Sequence, residues 1–190
     1  MLFRSGLSFS FVTVSATAMP KEKLNPMLRS LIEELKTRPG IDDYRARVML
    51  VAGLLDDPEF LKAIEEQGAL VVTESLCFGS RYFWNNVDES LPPMEALAQR
   101  YLSHPSCPRM IDEHDSRFEF IKKMVEDYGA DGIICERLKF CDLWAGESAL
   151  LRWSARKAEL PLLILEKEYM LGGLGQLKTR VQAFIESMAK

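Results

Sequence analysis

No stretch of this chain approaches the roughly 18–20 consecutive apolar residues that a membrane-spanning helix needs. Basic charge is not in excess either: 24 Lys and Arg stand against 28 Asp and Glu, a net charge of −4. Nucleic acids and anionic lipid surfaces are held by basic patches, so neither is an expected partner. Histidine is scarce, with only His104 and His114 in 190 residues. Both sit in a polar stretch expected to be a loop, with no partner at helical spacing. That argues against a histidine metal site, and no Ser/His/Asp arrangement can be assembled. The four cysteines, Cys77, Cys107, Cys135 and Cys141, form no Cys-x-x-Cys pair, which argues against a zinc ribbon. Repeats and low-complexity tracts are missing as well. With 47% hydrophobic and 27% charged residues, the chain reads as an ordinary cytoplasmic globular domain, where reducing conditions disfavour disulfides.

The start of the chain needs separate treatment. Arg4, an apolar stretch over 7–14 and Ala16-Thr17-Ala18 imitate a secretory signal, but Ser8, Ser10 and Thr13 interrupt the apolar part. Leu2-Phe3-Arg4-Ser5 is what CTC TTC CGA TCT, the tail of a common sequencing adapter, encodes. Met1 to Ser5 are therefore expected to be foreign, and the chain to be a C-terminal fragment of a longer protein. We divide it into a linker with one amphipathic helix (1–45) and a domain (46–190).

Leu24, Met27, Leu28, Leu31, Ile32 and Leu35 fall at helical spacing and predict a helix over 20–37. A short apolar strand follows at 48–51. Asp57-Pro58 then reads as an N-cap with proline at the first helical position. A second strand is predicted over 69–73, with a long irregular loop over 74–86. Helices from Pro92 and around Phe118, Ile121 and Val125 lead to a third strand at 132–135. A helix starting near Leu143, a fourth strand over 160–165 and a final helix complete the chain. Strand followed by helix, four times over, predicts a parallel four-stranded sheet between helical layers: a three-layer, flavodoxin-like (Rossmann-like) α/β domain. With strand order 2-1-3-4, the reversal falls between the first and third strands, at loops 53–57 and 139–142.

Ligands bind such sheets at the carboxyl ends of the strands, beside that reversal. Cys141 lies there, just ahead of a helix whose N-terminal dipole and free N–H groups favour a thiolate. It is the leading candidate for a metal ligand. Cys77 opens on the same edge and Cys107 sits in a neighbouring excursion, while Cys135 reads as a buried strand residue. Gly172-Gly173-Leu174-Gly175 lacks the pattern of a phosphate loop and reads as a turn, with Gln176, Thr179 and Arg180 capping and pairing on the surface. The aromatics Tyr82, Phe83 and Trp84 read as a loop folded over its own core.

Four segments carry a resemblance. They are Glu74-Ser-Leu-Cys-Phe-Gly-Ser-Arg-Tyr-Phe-Trp84, Asp131-Gly-Ile-Ile134 with Leu138-Lys-Phe-Cys-Asp142, Leu165-Glu-Lys-Glu-Tyr169, and Gly175-Gln-Leu-Lys-Thr-Arg-Val-Gln-Ala-Phe184. Together they resemble the C-terminal domain of the 2-hydroxyacyl-CoA dehydratase and benzoyl-CoA reductase family. The resemblance implies an iron–sulfur subunit, a lyase or oxidoreductase that handles acyl-CoA substrates by low-potential electron transfer under anaerobic conditions. It implies a [4Fe–4S] cluster with Cys141 as the ligand from this domain, and Cys77 and Cys107 at cysteine positions of some members. The implied partners are an N-terminal domain missing here, a homologous second subunit and an ATP-dependent activator protein. Two other readings stand beside it: a double-cluster reductase of another small substrate, and a cluster-free structural or partner-binding domain.

Overall fold

The computed structural model describes residues 6–55, 57–169 and 172–188. Its elements are α1 (Gly6–Ala18), α2 (Lys21–Thr37), β1 (Ala46–Val51), α3 (Pro58–Glu65), β2 (Ala69–Ser75), α4 (Ser80–Phe83), α5 (Pro93–Leu102), α6 (His114–Tyr128), β3 (Gly132–Leu138), α7 (Asp142–Lys157), β4 (Leu162–Lys167) and α8 (Leu174–Met188). The four strands are all parallel, in the order β2-β1-β3-β4. This is the flavodoxin-like arrangement expected, with the reversal between β1 and β3.

Parallel strands covered on both faces read as continuous apolar runs, and β1 is such a strand. Val48 and Leu50 face one layer with Phe60, Leu61 and Ile64 of α3 and Val181 and Ile185 of α8. Met49 and Val51 face the other with Phe118, Ile121 and Met124 of α6 and Leu151 of α7. The Asp57-Pro58 signal behaves as read. Asp57 caps α3 by accepting from Glu59 N at 2.9 Å, with Pro58 in the first turn. Gly129 ends α6 in the left-handed conformation (φ 57°), where a side chain would be strained.

The structure departs from the sequence reading in several places. The stretch 6–18, read only as part of a linker with a signal-like apolar run, is the helix α1. Thr13 and Thr17 satisfy their hydroxyls on the Ser10 and Val14 carbonyls one turn back. Gly6 packs so closely on Val71 of β2 that a Cβ would lie 2.5 Å from the valine Cβ. β3 runs three residues beyond Cys135, since Glu136 continues the ladder against Leu165 of β4 and is itself buried. The loop after β2 contains the single turn α4. Met1 to Ser5, whose origin the sequence put in question, lie outside the described residues.

Candidate functional site

Cys141 occupies the N-cap of α7, in extended backbone (φ −88°, ψ 101°). Its N–H donates to Leu138 O at 3.2 Å, its carbonyl accepts from Ala145 N at 2.8 Å, and its thiol is half-buried. Ahead of it, Phe140 takes a left-handed backbone (φ 64°) and turns its ring into solvent, 91% exposed. A non-glycine residue in that conformation is uncommon, and the turn it makes is what delivers Cys141 to the helix start.

Cys77 follows β2 by two residues. Its N–H donates to Gly53 O at 3.0 Å, joining the loops after β2 and β1. Burial pushes the Cys77 thiol up, against the pull of Arg81, whose Nη2 lies 3.1 Å from Cys77 Sγ. Arg81 is itself only 4% exposed. It also donates to Ala52 O at 3.1 Å and Ser106 O at 3.3 Å, and its guanidinium lies 5.9 Å from the centre of the Trp144 ring. That indole covers Gly53, where a Cβ would approach Trp144 Nε1 to 2.8 Å. One arginine therefore touches the loops after β1 and β2, the Cys107 loop and the first turn of α7.

The Cys77 loop is held from behind by Glu74. Its buried carboxylate accepts from Leu76 N at 2.6 Å, Ser80 N at 2.5 Å and Ser80 Oγ at 2.8 Å. Burial pushes the Glu74 carboxyl up, against these hydrogen bonds. Cys107 is exposed, and its carbonyl accepts from Met110 N and from Arg117 Nη1 at 3.2 Å. Cys135 is fully buried in β3, where burial raises its thiol to about 12.

A buried ionic group lies behind the Cys107 loop. Arg117 of α6 grips Glu147 of α7 with two hydrogen bonds, Nε to Oε1 at 2.9 Å and Nη2 to Oε2 at 2.7 Å. Arg117 Nη1 also reaches Ser106 Oγ at 3.0 Å and Met110 O at 2.7 Å. His114 bridges Glu147 Oε1 (3.2 Å) and Ser154 Oγ (2.9 Å). Burial would raise Glu147, but the hydrogen bonds and charge of Arg117, with those of His114, together hold its carboxyl below the usual range. The sequence reading placed His114 in a partnerless polar loop. It is instead buried in the first turn of α6, and its partners lie 33 and 40 residues further on, beyond any local pattern. Tyr82 and Phe83 do not fold inward as expected but are exposed, and only Trp84 packs, edge-on to Phe120 at 5.1 Å. In the glycine turn, Gly173 takes φ 76° and α8 follows directly. Arg180 then donates to Ile164 O at 2.8 Å, tying α8 to β4 rather than pairing on the surface.

A sequence model of the family described as 2-hydroxyglutaryl-CoA dehydratase, D-component, matches residues 4–188. The chain belongs to this family. It is 26% identical over 179 residues to the (R)-phenyllactyl-CoA dehydratase beta subunit of Clostridium sporogenes, a match covering 94% of this chain and 48% of the relative. It is 26% identical over 172 residues to the lactoyl-CoA dehydratase subunit beta of Anaerotignum propionicum (90% and 46%). It is 25% identical over 179 residues to the (R)-2-hydroxyglutaryl-CoA dehydratase, subunit beta, of Acidaminococcus fermentans (92% and 47%). The chain thus spans about half the length of the curated relatives it matches. No helix among the described residues is long and apolar enough to cross a membrane.

An iron–sulfur cluster requires several thiolates turned toward one point. Among the described residues of this dehydratase-family chain, no three His, Cys, Asp or Glu side chains gather closely enough to hold a metal ion. Cys77, Cys107 and Cys141 share one edge without closing into a ligand set. A half-buried thiol at a helix start suits a single ligand position at an open edge, and Cys141 fits that description.

Proposed function

We propose that this chain is the C-terminal half of a 2-hydroxyacyl-CoA dehydratase subunit and contributes Cys141 as one ligand of a [4Fe–4S] cluster. The remaining ligands come from a preceding domain outside the chain. The observation that carries the reading is the position of the Cys141 thiol, half-buried at the start of α7 and beside the reversal between β1 and β3. The relatives are named as dehydratase subunits, which favours the lyase over the aromatic-acyl reductase. When bound, such a cluster supplies a low-potential electron to an acyl-CoA substrate. The chain's own residues orient: Leu138 O and the first turn of α7 fix Cys141, while Trp144 of that turn packs over Gly53 and beside Arg81. A homologous second subunit and an ATP-dependent activator complete the system, in the cytoplasm.

Exposed apolar side chains surround this edge: Leu54, Phe78, Tyr82, Phe83 and Phe140. They suit a surface that another domain covers. Expressed alone, the 190-residue chain is therefore expected to hold little iron after anaerobic reconstitution and to self-associate. Iron and acid-labile sulfide analysis with light scattering tests this. A monodisperse monomer holding about four irons would refute the shared cluster. In a full-length subunit bearing this domain, Cys141→Ser is expected to abolish iron binding and leave the fold intact; normal iron with lowered stability would make Cys141 structural.

A further inference from the structure

Three cysteine-bearing segments come to one edge from distant parts of the chain, and the Cys77 thiol accepts a hydrogen bond from Arg81. Two buried arginines join them. Arg81, 4% exposed, ties Cys77 Sγ and Ala52 O to Ser106 O. Arg117, 5% exposed, holds the same loop through Ser106 Oγ, Cys107 O and Met110 O. Its other two nitrogens grip Glu147, six residues into the helix that Cys141 begins. The connection runs without a break from Cys77 through Arg81 to the Cys107 loop, and from there through Arg117 and Glu147 to the Cys141 helix.

The Cys107 loop exposes its cysteine and buries Pro108, so beyond that proline its position rests on these polar bonds. A guanidinium suits the task, because its planar fork of five donors can serve a carboxylate and several carbonyls at once, which an ammonium cannot. We propose that Arg81 and Arg117 are positioning residues, a two-guanidinium clamp that holds the Cys107 loop at fixed separation from Cys77 and Cys141. The three thiol-bearing segments then move as one body. That the thiols serve a common centre rests on the function proposed above; the clamp itself does not.

The test uses dipolar electron paramagnetic resonance on the metal-free 190-residue chain, diluted in excess unlabelled chain so that self-associated copies add no distances. Spin labels are placed on Cys107 and Cys141 in a Cys77→Ser background, where buried Cys135 stays unlabelled. The parent is expected to give one narrow distance distribution. Arg117→Met/Glu147→Met removes both charges of the ion pair together, leaving His114 its bond to Ser154, and is expected to broaden the distribution at least about twofold. Arg81→Met, which leaves the Arg117–Glu147 pair whole, is the second variant and is expected to do the same. Arg117→Lys keeps the cation beside Glu147 and is also expected to broaden it, since charge alone does not hold the loop. Continued resistance of Cys135 to alkylation establishes that a variant is folded. A folded Met variant with the parental width, or a parent already as broad as the variants, overturns the clamp. Neither outcome touches the iron assay, so the two readings fail separately.

Discussion

Gly79→Ala is a demanding test of how the Cys77 loop is built. Gly79 has φ −126°, so the substitution introduces no backbone strain of the left-handed kind. Its effect comes from space alone: a Cβ would lie 2.3 Å from Glu74 Oε1, 2.4 Å from Oε2 and 2.5 Å from Cδ. The end of a glutamate is ordinarily free to swing aside. This one is 5% exposed and held by three donors at 2.5–2.8 Å, so moving it strands Leu76 N, Ser80 N and Ser80 Oγ. Each stranded buried group costs about 1–3 kcal/mol, and partial relaxation brings the expected total to about 3–5 kcal/mol. For a domain of this size that is a fall in Tm of roughly 6–20 °C. Urea melts of the 190-residue chain measure the loss, and Glu74→Asp in the same chain supplies the control. The shorter acid withdraws from the added methyl group, so the double variant is expected to lose clearly less than the sum of the singles. A loss below about 1 kcal/mol, or strict additivity, would refute the account of Glu74 as the fixed post of this loop.

Two further outcomes follow from buried groups. Cys135→Ala removes a fully buried sulfur from β3 and is expected to cost about 1–2 kcal/mol in a urea melt. Iron binding by a full-length subunit bearing this domain should stay unchanged; loss of iron would mean that the thiol faces the site rather than the core. Glu147 is held below the ordinary carboxylate range in the folded state. Its contribution to stability is therefore complete above that range and lost as pH falls through its own folded pKa. Stability of the wild type measured from pH 7 down to pH 3 should drop below about pH 4 more steeply than that of Glu147→Gln; parallel curves would show that the pair with Arg117 gives no such linkage.

Local pattern was enough to read the architecture. Helical periodicity in α2 and α6, the Asp57-Pro58 start of α3 and the apolar runs 48–51 in β1 and 69–72 in β2 are consequences of near-neighbour chemistry. Parallel strands separated by helices admit few arrangements; the flavodoxin-like order 2-1-3-4 is one of them, and the structure has it, with the reversal beside Cys141. For α1 the sequence offered no helix reading: 7–14 looked only like a signal-like apolar run inside a linker, and the structure makes it a helix whose Gly6 packs on Val71 of β2. The polar framework of the site was not legible. Arg117 and Glu147 are 30 residues apart, and His114 and Ser154 are 40 apart; each residue taken singly looks like a solvated surface charge or hydroxyl. Only the packing of α6 against α7, around a core that local pattern does not specify, brings them together and removes the water. The same holds for Arg81, a loop arginine in sequence and a buried junction of four segments in the fold. Cys141 could be read from position because a helix start at a sheet reversal is a local feature, whereas the residues that hold its neighbours in place are a product of tertiary contact.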